Sequence, residues 1–194
     1  MKTQNLLCVA LLFVTGLTGC STVVSKNQLG AAAPAEETKQ LEGVWLAGEN
    51  SDPLVIKHIK DNELRIAGVE WKANKFSLIE LTAFVNAIED QRYVNVVDSE
   101  SPPDQPQFTF AKLIAPNDDC LLVCLASVKS FEQAVEAGRL SGTIKKDKNS
   151  TTVTLDSSTE DLNRFIDPLK SAEQFEIESP LVLRRVGKVE GNQK

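Results

Sequence analysis

The sequence predicts a mainly β fold (β-rich α+β), an antiparallel barrel-like or strongly curved sheet with two short helices. Short runs rich in β-branched and aromatic residues recur along the chain, with turn-forming residues between them. Two segments carry apolar residues at helical spacing. Nine or ten short, mainly antiparallel strands suit a barrel or curved sheet with helices plugging one end.

The predicted strands are short apolar runs bounded by turn signals. Asp61-Asn62 lies between two such runs and predicts a hairpin. Three prolines within residues 98–106 predict a loop. The runs cover 54–60, 63–69, 76–88 (one or two strands), 91–97, 107–115, 120–126, 140–146, 151–155 and 181–186.

The first helix is predicted over residues 128–137. Val128, Phe131 and Val135 fall at positions i, i+3 and i+7, which lie on one face of a helix. Gly138 follows the last of these positions and is placed to end the helix.

The second helix is predicted to begin at Ser157 or Ser158. Ser157 with Glu160 three residues later forms a capping box, and Pro168 would stop the helix. A further short turn of helix is predicted near 171–174. The buried face of the second helix would consist of Leu162, Phe165 and Ile166.

The first twenty residues have the organisation of a secretory signal. Lys2 supplies a positive charge, residues 6–17 are almost wholly apolar, and small Gly19 precedes Cys20. The apolar run is shorter than the roughly 20 residues that a membrane-spanning helix needs. The ending Leu-Thr-Gly-Cys20 resembles the lipobox of bacterial lipoproteins. This resemblance implies cleavage before Cys20, acylation of that residue, and attachment to a membrane through the acyl chains.

The residue after the cysteine, Ser21, implies by the same resemblance sorting to the outer membrane, with the protein facing the periplasm. Residues 1–19 are thus expected to be the signal peptide, and 20–40 the lipidated cysteine and a flexible tether, because small and polar residues dominate there. Residues 41–187 would form a single β-rich domain, followed by a C-terminal tail at 188–194.

Charge and cysteine content exclude several classes of function. The formal net charge is −6 and no basic block occurs, so nucleic-acid binding is not expected. Cys120 and Cys124 fall on one apolar strand, where residues four apart are separated by about 13 Å, beyond the roughly 7 Å limit for a disulfide. We therefore predict two free, buried thiols. One histidine and no Cys-x-x-Cys pair predict no metal site and no cofactor.

Gly43-Val44-Trp45 opens the predicted domain, and Arg184 and Arg185 lie in its last strand. This arrangement resembles the Gly-x-Trp opening of lipocalins. The resemblance implies that Trp45 closes the floor of a barrel and stacks on one of the two arginines. A cation over an indole face contributes about 1 kcal/mol or more when desolvated. The Thr-Asp motif of the middle lipocalin strands is not found, and two mid-chain helices depart from a plain eight-stranded barrel.

No catalytic motif stands out. His58 lies mid-strand and is expected to be solvent-facing or hydrogen-bonded, without a nucleophile motif in the sequence. Acidic residues that could pair for hydrolysis occur mostly in predicted turns and at a helix start; they are Glu89, Asp90, Asp98, Glu100, Asp104, Asp118, Asp119, Glu160 and Asp161.

Three functions stay open from the sequence. The first is a non-catalytic envelope lipoprotein that binds a small apolar ligand or an envelope protein. The second is a lipid-anchored, carboxylate-dependent hydrolase acting on envelope glycan. The third is a structural or assembly accessory of a membrane complex, with the 98–106 loop or an edge strand as its contact.

Overall fold

The computed structural model describes residues 21–48, 52–72, 75–99, 101–166 and 171–187. The signal peptide, Cys20, Glu100, Pro168 and the tail at 188–194 lie outside these ranges. The helices of the described part are α1 (Ala35–Lys39), α2 (Val128–Glu136), α3 (Thr159–Phe165) and α4 (Ser171–Gln174). Its strands are β1 (Thr22–Ser25), β2 (Ala31–Ala32), β3 (Gly43–Ala47), β4 (Asp52–Lys60), β5 (Glu63–Lys72), β6 (Lys75–Ile88), β7 (Gln91–Val97), β8 (Phe108–Asn117), β9 (Cys120–Leu125), β10 (Gly142–Asp147), β11 (Ser150–Leu155) and β12 (Leu181–Gly187).

Eight of these strands close into an antiparallel barrel, which confirms the predicted mainly β fold class. The order around the barrel is β8-β7-β6-β5-β4-β3-β12-β9, and pairing of β9 with β8 completes the circle. Neighbours from β3 to β8 follow chain order, as expected where short turns join antiparallel strands. The predicted hairpin turn lies between β4 and β5, where Asp61 adopts a φ of 47°, a conformation that aspartate tolerates.

A second layer extends from the barrel at β8. Strand β1 meets β8 where Ser25 lies opposite Phe108, and β1 pairs in parallel with β11, which pairs with β10. Helix α2 packs on β1, β10 and β11. The barrel therefore carries an outer wall on one side, and its strands β7, β8 and β9 lie between two apolar cores.

The two cores divide the apolar residues by strand face. The interior core fills the barrel and consists of Ala33, Trp45, Ala47, Ile56, Leu64, Ala83, Val85, Val94, Ala111, Leu121 and Leu183. The outer core lies between the barrel and the second layer and consists of Val23, Leu29, Tyr93, Phe110, Cys124, Phe131, Ala134, Leu140, Val153, Leu155, Leu162, Ile166 and Phe175. Because β9 contacts both cores, its sequence Cys-Leu-Leu-Val-Cys-Leu is apolar without alternation.

Residues 21–40 belong to the folded domain, so the prediction of a flexible tether is wrong. Leu29 is 0% exposed. The side-chain amide of Asn95 accepts from Leu29 N at 2.7 Å and donates to Leu29 O at 3.0 Å. Asn86 Nδ2 also donates to Leu29 O, at 2.9 Å, and to Gly30 O at 3.1 Å. These buried amides satisfy the backbone of a segment whose own composition indicates disorder.

The predicted helices are present, with one correction at a cap. Helix α2 ends before Gly138, whose φ is +68°. Ser158, not Ser157, caps α3: its hydroxyl accepts from Asp161 N at 3.2 Å and donates to Asp161 Oδ2 at 2.8 Å. The predicted capping box of Ser157 and Glu160 is therefore wrong by one residue, because Ser157 Oγ instead accepts from Ser141 N at 2.8 Å.

The predicted free thiols occupy the outer face of β9. Cys120 and Cys124 are both free, and the structure places them on one strand as expected. Cys124 is fully buried, whereas Cys120 is only half-buried. The prediction of a buried thiol is therefore confirmed for Cys124 and wrong for Cys120, because Cys120 lies at the end of the strand beside an exposed turn.

A row of titratable side chains crosses the outer core. Tyr93, Lys112 and Cys124 face one another across β7, β8 and β9 and are 0%, 5% and 0% exposed. Burial lowers the pKa of Lys112 and raises the pKa of the Cys124 thiol. Burial, with smaller effects from the charges of Asp90 and Glu89, raises the pKa of Tyr93 to about 12. The outer core therefore disfavours the charged form of each of the three groups.

Titration of Tyr93 tests this environment, because Tyr93 is the single tyrosine of the chain. Tyrosinate absorbance in the native protein is expected to rise with a midpoint of about 12, and in urea at about 10. Since the native state favours the neutral phenol, its stabilising contribution is present below pH about 10 and is lost as pH rises further. Tyr93→Phe should abolish the signal. A native midpoint near 10 would contradict the burial.

Candidate functional site

One end of the barrel, here called the floor, is closed by Trp45. This residue lies on β3 and is 1% exposed, and its Nε1–H donates to Leu41 O at 3.0 Å. Arg185 lies opposite it in register on β12, with the guanidinium carbon 4.3 Å from the centroid of the Trp45 ring. At this distance the cation interacts with the ring face, so the tryptophan and one of the two predicted arginines are in contact.

The Arg185 guanidinium is also held by backbone carbonyl groups. Nη1 donates to Glu42 O at 2.5 Å and Nη2 to Gln40 O at 2.6 Å. Nε donates to Asp118 O at 2.8 Å, in the turn between β8 and β9. A planar fork of donors suits this arrangement, which a lysine ammonium would not reproduce. Arg185 thereby ties the segment before β3 and the β8–β9 turn to the last strand.

Gly43 leaves the space that this floor requires. A Cβ at this position would lie 2.8 Å from Gly187 O and 3.1 Å from Arg185 Nη1. Trp45 is two residues further along β3 and therefore points to the same interior face. The Gly-x-Trp spacing thus has a local physical reason: the glycine admits the guanidinium and the tryptophan lies beneath it.

The remaining predicted site residues lie elsewhere. Arg184 is exposed and lies on the opposite face of β12, opposite Leu46 and Cys120 in register. It therefore cannot share the floor position of Arg185. Ser21 precedes β1, and its hydroxyl accepts from Thr151 N at 2.9 Å. Cys20 lies outside the described residues.

Burial of the interior side chains changes from the floor toward the opposite end, here called the far end. The floor residues are buried, and several core positions are small, including Ala47, Ala83 and Ala111. Toward the far end, inward-facing apolar side chains next to the interior core are only half-buried; they include Val96, Leu125 and Leu181. Apolar side chains inside a barrel that keep solvent exposure mark space that other apolar atoms can occupy.

The His58 ring has a local partner, and the acidic pairs that the sequence offered lie in separate segments. The His58 ring donates through Nε2 to Asp61 O at 3.0 Å, within the β4–β5 turn. The acidic pairs at 89–90 and 118–119 lie in different hairpin turns, and the pair at 160–161 lies in the first turn of α3. Within the described ranges no group of three or more His, Cys, Asp or Glu side chains gathers to hold a metal ion.

A separate cleft of about 480 Å³ lies where helices α2, α3 and α4 meet. Arg139 lies over the Phe165 ring at 5.2 Å, and Arg164 Nη1 pairs with Asp161 Oδ1 at 2.9 Å. The cleft is thus polar and its charges are of both signs, unlike the apolar barrel interior. None of the helices in the described part of the chain is long and apolar enough to cross a membrane.

Comparisons with protein-family models, with curated proteins and with solved structures gave no match for this chain. The likeness to lipocalins consequently rests on the chain itself. Its basis is the Gly43-x-Trp45 opening and the Arg185 contact. Sequence reasoning missed the half-buried interior residues and the carbonyl groups around Arg185. The alternation of apolar residues in β4 and β5 could have indicated the interior residues. Contacts with backbone carbonyl groups leave no signal in the sequence.

Substitution of the two neighbouring arginines should separate the floor contact from surface charge. Arg185→Met removes the cation over Trp45 and leaves carbonyl groups without their donors, so the free energy of unfolding should fall by about 2–3 kcal/mol. Arg184→Met is the matched control and should change it by less than about 0.5 kcal/mol. Urea unfolding followed by circular dichroism measures both. Equal effects would show that Arg185 does not hold the floor.

Proposed function

We propose that this protein is a non-catalytic, lipid-anchored protein of the bacterial envelope whose barrel binds a small apolar ligand. The observation that carries the proposal is the change of burial inside the barrel. Trp45 and Arg185 close the floor, while apolar side chains toward the far end stay half-buried. Burying such surface under a ligand contributes roughly 25 cal/mol per Å². The interior thus supports binding of apolar molecules in preference to charged ones.

The lipid anchor belongs to the same proposal and is inferred from the Leu-Thr-Gly-Cys20 ending of the first twenty residues, which resembles a lipobox. Strand β1 begins at Thr22, so acylation of Cys20 would place the domain directly at the membrane surface, with Ser21 as the one residue between them. Each buried methylene contributes about 0.8 kcal/mol, and two or more acyl chains hold a protein stably. We propose the outer membrane, facing the periplasm, as its location.

Binding is proposed in preference to hydrolysis because of where the carboxylates lie. Those that the sequence offered as a catalytic pair occupy separate turns and a helix start, where acidic residues serve the backbone locally. The interior core of the barrel, in contrast, is built from apolar side chains. This composition supports a carrier or sensor of an apolar molecule.

Ligand binding can be tested by filling the barrel. Ile66 points into the barrel and Ala67, its neighbour on β5, points outward; both are half-buried. Ile66→Trp should weaken binding of the apolar fluorophore N-phenyl-1-naphthylamine by about tenfold or more, which corresponds to about 1.4 kcal/mol. Ala67→Trp adds the same ring outside and should bind as the parent does.

The titration should use the chain from Ser21 onward, because acyl chains would themselves take up the fluorophore. Circular dichroism of both variants controls for folding. The ligand proposal fails if the parent does not bind, or if the two variants bind equally well.

The anchor can be tested by metabolic labelling with an alkynyl fatty acid. The parent should carry the label and sediment with membranes. Cys20→Ala should lose both properties, because the acceptor thiol is gone. Cys120→Ala, which removes a half-buried thiol of β9, is the matched control and should retain both. Label retained by Cys20→Ala would refute the anchor.

A further inference from the structure

The hairpin of β5 and β6 extends beyond the strands that flank it. In the described part of the chain, β4 pairs with β5 only as far as Gly68, and β7 pairs with β6 only from Ala83 onward. Residues 69–72 and 75–78 pair only with each other; we call them the ribbon. Four residues of strand span about 13 Å, which is the length of the ribbon.

The outer face of the ribbon is apolar. Val69 lies opposite Leu78, and Trp71 lies opposite Phe76 in register, so all four positions share one face. Phe76 is 74% exposed and Leu78 72% exposed, the highest values among the large apolar side chains described, and Val69 is 48% exposed. A two-stranded ribbon gains little stability of its own from such residues, and they therefore indicate a contact surface.

The tip of the ribbon is positively charged in an otherwise acidic chain. Lys72 and Lys75 lie opposite each other at the last register pair of the ribbon, while the formal net charge of the protein is −6. By alternation Lys72 and Lys75 share a face with Glu70, opposite to the apolar face, on which Glu80 is paired with Arg65 Nη1 at 3.2 Å. The ribbon thus carries two lysine positions and one glutamate position, a formal excess of one positive charge.

We infer that the ribbon docks on the surface of a lipid bilayer that contains anionic lipid. Tryptophan and phenylalanine favour the boundary between headgroups and acyl chains, and lysines next to them reach the headgroups. Each lysine near an anionic surface contributes about 1 kcal/mol. The apolar face matches the acyl chains at a bilayer surface, and the lysines at the tip match its anionic headgroups.

The inference does not require an anchor at Cys20. Strand β1 runs antiparallel to β8, with Ser25 opposite Phe108, so its N-terminus points toward the floor and away from the ribbon. Contact through the ribbon and anchoring at Cys20 are therefore separate properties.

Tryptophan quenching tests the inference, because the chain has two tryptophans and Trp45 is 1% exposed. The protein as the cell processes it is mixed with vesicles of phosphatidylethanolamine and phosphatidylglycerol that carry brominated acyl chains. Emission should be quenched in the parent and not in Trp71→Phe. Phe76→Ser and Leu78→Ser should abolish quenching, whereas Val186→Ser, which removes another exposed valine of 59% exposure, should not.

Lysine neutralisation tests the charge component. Lys72→Gln with Lys75→Gln should weaken the vesicle affinity about thirtyfold, from about 1 kcal/mol per lysine, and vesicles of phosphatidylcholine should show no such difference. An unquenched parent, or quenching that survives Phe76→Ser and Leu78→Ser, would overturn the inference. So would a dimer in solution that those substitutions dissociate, which would assign the ribbon to a second copy. Mass measurement reports acylation of Cys20 separately.

Discussion

The Arg185 guanidinium contacts the Trp45 ring and the carbonyl groups of Gln40, Glu42 and Asp118, and the closed end of the barrel depends on these contacts. They join the segment before β3, the β8–β9 turn and the last strand, which are distant in the chain. Gly43 is required beside them, since a side chain there would meet the guanidinium. The barrel itself closes through the pairing of β9 with β8, and Arg185 adds a defined floor at one end.

The second layer decides which barrel strands face solvent. Strands β7, β8 and β9 contribute apolar residues to both the interior and the outer core, whereas β4 and β5 carry charged residues at outward positions such as Lys57 and Arg65. On the β4–β6 side, outward positions carry charge near the floor, as at Arg65 and Glu80. They become apolar at Val69, Phe76 and Leu78. Exposure of these three is therefore a departure from the pattern of their own strands, which is why a contact surface is inferred there.

Local patterns predicted the strands from β4 to β9 and helix α2, because alternation, helical spacing and turn residues act within a few positions. The tryptophan floor was instead implied by the resemblance to lipocalins. Long-range bonds escaped prediction. The segment at 21–40 is ordered because Asn86 and Asn95 satisfy the backbone of Leu29 and Gly30 from more than fifty residues away. The choice between Arg184 and Arg185 depends on which face of β12 meets Trp45, and a register shift between Arg185 and Gly187 obscures that face in the sequence. Ser157 and Ser158 are equivalent helix-cap candidates in the sequence. The structure separates them, because Ser157 Oγ accepts from Ser141 N.

The proposed ligand and the proposed membrane contact meet at the far end of the barrel. The ribbon continues β5 and β6 past Gly68 and Ala83, on the side away from Trp45. A bilayer beneath the ribbon would therefore lie beside the far end of the barrel, where inward-facing Val96 is half-buried. Transfer of a ligand with ten methylenes into water costs roughly 8 kcal/mol, so exchange of the ligand between barrel and membrane through water would be slow. A barrel whose far end lies beside lipid would avoid that barrier, which would explain why the exposed ribbon lies at this end.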